Sequence, residues 1–185
     1  QLGPLFEIIT HTNIPMIKRP GYEADDIMAT VGQKAKELSV STYIVTSDKD
    51  MMQIVDEDIF IYSPGNRFKP TTIYNREKVL DKWGIPPEKM VDYLAMVGDS
   101  SDNVPGVNGV GAKTAVKLLT EYGSLEKSLE NADNVKNKRA REGLRNGKDL
   151  AYLSKELVTL KLDVPLDIHF ESMIKGSMNI EELTH

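Results

Sequence analysis

Apolar and polar positions alternate along this chain with two different periods. Leu5, Ile8 and Ile9 share one face of a helix end running from Leu2 to Thr12, and Ile14-Pro15-Met16-Ile17 is a short apolar run expected to form a strand. Ala24, Ile27, Met28, Val31, Ala35 and Leu38 recur at helical spacing, which predicts an amphipathic helix over Glu23 to Leu38. The β-branched and aromatic run Thr42-Tyr43-Ile44-Val45-Thr46 predicts a buried strand, followed by a short helix from Met51 to Val55. Ile59-Phe60-Ile61-Tyr62 predicts a further strand, ended by Ser63-Pro64-Gly65-Asn66. Strands alternating with helices indicate an α/β body with a largely parallel sheet.

Beyond this point the strand signal fades. Asn75 to Trp83 reads as a helix stopped by Gly84, and Pro86-Pro87 opens another that carries Met90, Tyr93, Leu94 and Val97. Ala112 to Tyr122, Leu125 to Asn131 and much of Lys136 to Leu160 read as short helices punctuated by Gly123, Asn134 and Gly147. The tail from Asp163 is loop-like, with weak helical character at Ile180 to Leu183. The expected organisation is an α/β body over residues 1–84 and a helical part over residues 85–185.

Composition narrows the class. With 40% hydrophobic and 28% charged residues, the 185-residue chain fits an ordinary globule. It has no cysteine, which excludes disulfides and thiolate metal sites and favours a reducing compartment. There is no apolar run of membrane-spanning length, so no membrane partner is expected, and the opening residues do not read as a signal peptide. The chain opens on Gln1, as expected of a fragment or processed piece. The net charge of −5 is unevenly spread: residues 110–150 hold nine Lys and Arg against six acids, while the flanking segments are acidic. An acidic body beside a basic segment suits a metal-dependent enzyme acting on a polyanion, and it equally suits solvated helix faces.

The stretch from Gly98 to Ala115 places two chemistries side by side. Asp99 and Asp102 lie in a Gly- and Ser-rich turn that can offer oxygen ligands to a hard cation. Gly109-Val110-Gly111 leads into Ala112-Lys113-Thr114-Ala115, where glycine N–H groups and a helix N-terminus can hold a phosphate.

Two more acid clusters stand at element ends. Glu23, Asp25 and Asp26 fall in the first turn of a predicted helix, with Glu23 and Asp26 about 60° apart around it. One acid there would be explained by the helix dipole; three in four residues exceed what capping needs. Asp48 and Asp50 follow a predicted strand, at the edge where open α/β sheets bind ligands, although a capped turn would also place them there. Gathered together, seven carboxylates would repel unless divalent ions offset their charge. Oxygen-only donors point to Mg²⁺ or Mn²⁺ rather than Zn²⁺. His11, His169 and His185 lie outside the clusters and read as surface or packing residues.

Gly21-Tyr22-Glu23-Ala24-Asp25-Asp26, Thr46-Ser47-Asp48-Lys49-Asp50 and Gly98-Asp99-Ser100-Ser101-Asp102-Asn103-Val104-Pro105-Gly106 resemble, in the same order, motifs of the 5′-nuclease domain of bacterial DNA polymerase I, within the flap endonuclease superfamily. The resemblance runs from about Leu5 to Phe170. It implies a PIN-like, resolvase-like body joined to a helix–three-turn–helix part of the helix-hairpin-helix type. It implies a two-metal site with Glu23, Asp25, Asp26, Asp48 and Asp50 as catalytic ligands and Asp99 and Asp102 completing the second ion's shell. It also implies duplex DNA binding through Val107, Gly109, Gly111, Lys113 and Thr114, with K⁺ at the hairpin. Lys117, Lys138, Arg139 and Arg141 are weaker candidates, and Tyr22, Trp83 and Tyr93 read as packing residues.

The implied activity is 5′-3′ exonuclease or 5′-flap cleavage in bacterial replication and repair. The substrate is DNA with a flap, a nick or a 5′ end, the location is cytoplasmic, and a polymerase domain in cis is an admissible partner. Members of that family carry a further N-terminal portion with a first strand, more aspartates and a basic arch. The expectation for this chain alone is therefore weak cleavage, retained duplex binding and an unpaired sheet edge. The alternative reading is a catalytically impaired, structure-specific duplex-binding module. A phosphatase read from Asp48-Lys49-Asp50 alone leaves the hairpin unexplained.

Overall fold

Asn75, Ser124 and Asn137 each stand where a helix begins, and each caps it. Asn75 Oδ1 accepts from the Lys78 N–H (3.0 Å), Ser124 Oγ from the Lys127 N–H (3.2 Å), and Asn137 Oδ1 from the Ala140 N–H (3.1 Å). These contacts come from a computed structural model, which describes residues 2–177 and residue 180. The helical character expected at Ile180 to Leu183 lies outside the described residues, Ile180 apart.

The chain groups into two compact units, Gln1–Ala35 with Lys161–His185, and Lys36–Leu160. The second holds a three-stranded sheet of β1 (Thr42–Val45), β2 (Ile59–Ser63) and β3 (Thr72–Tyr74), in the order β1-β2-β3. β1 and β2 are parallel, with Thr42 opposite Ile59 and Val45 opposite Tyr62; β2 and β3 are antiparallel. The sheet is thus mixed rather than largely parallel. The connection after Ser63 turns back on itself, and an Asn66–Lys69 bridge closes it. Ile44, Ile59 and Ile61 point into the core, while Tyr43 and Val45 lie on the exposed face, Tyr43 stacked on Phe60 at 5.0 Å. Among the described residues β1 pairs only with β2, so its other edge is open.

Eight α-helices complete the described residues. They are α1 (Leu2–His11), α2 (Ala24–Glu37), α3 (Arg76–Trp83), α4 (Met90–Val97), α5 (Ala112–Tyr122), α6 (Leu125–Glu130), α7 (Lys138–Asn146) and α8 (Lys148–Val158). The expected helix at Met51 to Val55 is a 3₁₀ turn, Asp50–Ile54, which buries Met51, Met52 and Ile54. α4 is the hub of the larger unit and packs against α5, α6 and α8, with Met90, Leu94 and Met96 fully buried. The strand expected at Ile14 to Ile17 does not form. Asn13 sits at φ 51°, Pro15 lacks an N–H, and Ile14 and Met16 are 49% and 42% exposed.

In the smaller unit the tail lies along α2. Thr30, fully buried, donates to the Lys161 carbonyl (3.3 Å) and accepts from the Val164 N–H (3.1 Å). Lys34 Nζ donates to the Leu166 carbonyl (3.3 Å). No helix among the described residues is long and apolar enough to cross a membrane.

Candidate metal centre and phosphate-binding hairpin

Asp48 and Asp50 are positioned by the end of β1. The Asp48 N–H donates to Thr46 Oγ1 (3.1 Å), and Asp48 Oδ1 accepts from the Asp50 N–H (2.8 Å), so the turn is tied before the 3₁₀ helix starts. Asp99 and Asp102 are positioned by the loop after α4. Asp99 and Val104 exchange backbone hydrogen bonds (3.0 and 2.8 Å), and Asp99 Oδ1 accepts from the Ser101 N–H (2.7 Å). Thr46, Asp48, Asp99 and Asp102 line one open cleft of about 470 Å³.

The electrostatics of this cleft are those of an acidic cluster short of positive charge. Burial, with the charge of Asp48 next, pushes the Asp50 carboxyl up to about 6; Asp99 and Asp102 add to this and Lys49 opposes it. Asp50 Oδ1 is buried without a hydrogen-bond partner among the described residues, and an orphaned acceptor of this kind needs an explanation. The Lys49 ammonium is paired with Asp99 Oδ2. That hydrogen bond, with the Ser101 N–H next, holds the Asp99 carboxyl below its usual range. The donor set therefore fits a hard divalent cation in charge, in oxygen-only chemistry and in the orphaned oxygen. No three such carboxylate or histidine groups among the described residues stand close enough to hold an ion as they are.

Glu23, Asp25 and Asp26 belong to the smaller unit, at the start of α2. The Glu23 N–H donates to Asp26 Oδ2 (3.4 Å), and Asp26 Oδ1 accepts from the Lys161 N–H (2.9 Å). Asp26 therefore fastens the tail to the helix, a structural task the sequence did not disclose. Glu23 is exposed and Asp25 half-buried.

The hairpin before α5 has a buried floor and an open rim. Val107 and Val110 are buried, the Val107 N–H donates to the Met96 carbonyl (2.8 Å), and the Val110 N–H closes the turn onto the Val107 carbonyl (3.0 Å). The Gly106 N–H is held by Ser154 Oγ of α8 (2.9 Å). Gly109 takes φ +78°, and a Cβ there would stand 2.6 Å from Arg139 Cγ and 2.9 Å from the Arg139 carbonyl. The N–H groups of Gly109, Gly111, Ala112 and Lys113 have no partner among the described residues, and Gly111 supplies no side-chain cap. Lys113 is exposed and Thr114 half-buried beside them. This is a ready cradle for an anion.

Sequence reasoning missed Lys49 as a functional residue, although a lone cation between Asp48 and Asp50 is a visible signal. Arg139 reads as a weak candidate from sequence because its contact with Gly109 joins positions 30 residues apart.

Residues 1–84 match the 5′-3′ exonuclease N-terminal resolvase-like domain, and residues 85–181 match the 5′-3′ exonuclease C-terminal SAM fold. The chain is 43% identical over 179 residues to DNA polymerase I of Rhizobium leguminosarum, covering 97% of this chain and 17% of that protein. It is 38% identical over 173 residues to a 5′-3′ exonuclease of Aquifex aeolicus, covering 94% of this chain and 57% of that one. It thus spans about a sixth of the first relative and just over half of the second. The fold is that of T5 5′-exonuclease, solved with bound zinc (TM-score 0.76, 22% identity, 86% of this chain and 58% of that one). The catalytic core of Rad2 shares it too (TM-score 0.68, 20% identity, 98% and 65%). A resolvase-like body followed by a helical SAM-type part, carrying the acid motifs in order, makes this chain a member of the 5′-3′ exonuclease family.

Proposed function

We propose that the chain is part of a divalent-metal-dependent 5′-3′ exonuclease or 5′-flap endonuclease that hydrolyses DNA phosphodiesters. The observation that carries this reading is the acidic cleft of Asp48, Asp99 and Asp102, with a carboxylate oxygen of Asp50, in the same turn as Asp48, buried and unpartnered among the described residues. In the same unit stands a hairpin that offers free N–H groups to a phosphate. Glu23, Asp25 and Asp26 are assigned as further ligands on the strength of their motif.

The bound ions, Mg²⁺ or Mn²⁺, would activate water for in-line attack and stabilise the leaving oxygen. The chain's own residues have separate tasks. Asp48 and Asp50 supply the oxygens nearest the end of β1, and Asp99 and Asp102 supply those of the opposite loop. Lys49 holds Asp99 in place. The N–H groups of Gly109 and Gly111, with Lys113 and Thr114, grip the duplex backbone without reading bases; Val107 anchors that hairpin, which would hold a K⁺ ion. The substrate is a duplex with a 5′ flap, nick or 5′ end. Relatives named DNA polymerase I support a polymerase domain in cis and a bacterial cytoplasmic setting.

A second reading is a duplex-binding module that does not cut. It is favoured because no three acidic groups among the described residues are gathered as a preformed ion site. A 5′-labelled flap duplex incubated with Mg²⁺, then with excess EDTA, separates the two. Cleavage that stops with EDTA supports the nuclease, binding without cleavage supports the module, and cleavage indifferent to EDTA contradicts the metal assignment.

A further inference from the structure

Beside the hairpin, α5 and the connection leading into α7 enclose a small groove of about 40 Å³. Its walls carry Thr114 and Lys117 from α5, and Lys136 and Asn137 from the connection; Leu118 and Val135 form an apolar floor. The polar groups are almost all donors. Asn137 Oδ1 is already used, accepting from the Ala140 N–H (3.1 Å), so its amide presents Nδ2–H groups. Lys117 and Lys136 are exposed, and neither has an ion-pair or hydrogen-bond partner among the described residues. The neighbouring acids are mostly engaged: Asp133 with Arg145, Glu142 with Lys138 (4.0 Å), and Glu126 with Lys155 (2.7 Å). Glu121 alone among the wall residues is negative.

The groove is fixed to the hairpin by packing. Arg139 Cγ lies against Gly109, and Gly143 of α7 lets the Asn108 carbonyl approach so closely that a Cβ there would stand 1.7 Å from it. Thr114 belongs to both features, since it lines the groove and follows the free N–H groups of Gly111 and Lys113. Thr114 thus sets the groove beside the hairpin's free N–H groups.

We propose that this groove is a second phosphate subsite, in which Thr114, Lys117, Lys136 and Asn137 hold a phosphate of the same DNA strand that the hairpin grips. The subsite rests on the duplex-binding reading above and deepens it. It fixes the angle at which the backbone leaves the hairpin, because two held phosphates define a direction and one does not. Arg139 packs against Gly109 of the hairpin.

The test is binding of the full chain to duplexes in which single phosphates are replaced, one position at a time, by neutral methylphosphonate. The parent should lose affinity at two neighbouring positions on one strand. Lys117→Ala with Lys136→Ala should remove the sensitivity at one of them and lower the salt slope of log K by roughly 0.9 for each phosphate no longer neutralised. Lys113→Ala should remove the sensitivity at the other, and Lys117→Arg with Lys136→Arg should keep both. If the double alanine variant keeps the parent's slope and phosphate profile while Lys113→Ala weakens binding, the second subsite is wrong and the hairpin grip stands. If the parent's duplex binding shows no salt dependence, the duplex-binding reading falls and the subsite with it. Melting temperatures equal to the parent's show that the variants are folded.

Discussion

Lys49 reaches across the acidic cleft and pairs with Asp99, so an ammonium from the turn after β1 holds a carboxylate from the loop after α4. The pair sits where the charges of Asp48, Asp50 and Asp102 are also felt. Lys49 is the internal counter-charge of a cluster that otherwise repels itself.

Replacing Lys49 tests that role. Lys49→Met should lower the melting temperature in EDTA, by an amount equivalent to about 1 kcal/mol, because Asp99 loses its partner beside other acids. Mg²⁺ should then raise the melting temperature of the variant more than that of the parent. Equal metal increments in the two proteins would show that Lys49 and the ion do not share a site.

Asp26 has two candidate tasks, and two substitutions separate them. Its Oδ1 accepts from the Lys161 N–H at 2.9 Å. Asp26→Ala should cost about 1–2 kcal/mol in urea unfolding, since that N–H loses its acceptor. Asp26→Asn keeps a carbonyl oxygen for the bond and removes the charge, so it should retain most of the stability while weakening Mn²⁺ binding. If Asp26→Asn binds Mn²⁺ as the parent does, Asp26 is a fastener only.

Lys155 ties three helices together through Asp92 and Glu126, both at 2.7 Å. Burial raises the Glu126 carboxyl, but the Lys155 hydrogen bond and other contacts outweigh it and leave the group below its ordinary value of 4.5. A depressed carboxyl stabilises the fold above its unfolded pKa and loses that contribution as pH falls through the folded one. Burial likewise opposes the charge on Lys155, and its two partners outweigh that, leaving it above 10.5. Lys155→Met should therefore cost about 1–2 kcal/mol near neutral pH, with the difference from the parent shrinking below pH 4.5. Parallel pH–stability curves for the two proteins would contradict the assignment.

Much of the helical structure was legible in the sequence, because its punctuation is local. Asn75, Ser124 and Asn137 cap their own helices, and Gly84 ends α3 at φ 74°. β3 was not legible, since Thr72–Tyr74 is three residues long and follows Pro70. Ile14 to Ile17 misled in the opposite direction, being apolar by composition yet half-exposed and without a ladder among the described residues. In the site, the motifs located the acids but not their partners. Nothing local to Lys49 names Asp99, 50 residues on, and nothing local to Asp26 names Lys161. The stem of Arg139 became meaningful only once α7 lay against Gly109.

The proposed divalent-cation site takes Asp48 and Asp50 as ligands. The most direct measurement is the melting temperature of the parent and of Asp48→Asn with Asp50→Asn, across a titration of Mn²⁺ from an EDTA-treated start. Binding to the folded state should raise the parent's melting temperature with rising Mn²⁺. The double variant, relieved of repulsion, should melt at or above the parent in EDTA and respond little to the ion. An equal rise in both proteins would contradict the claim.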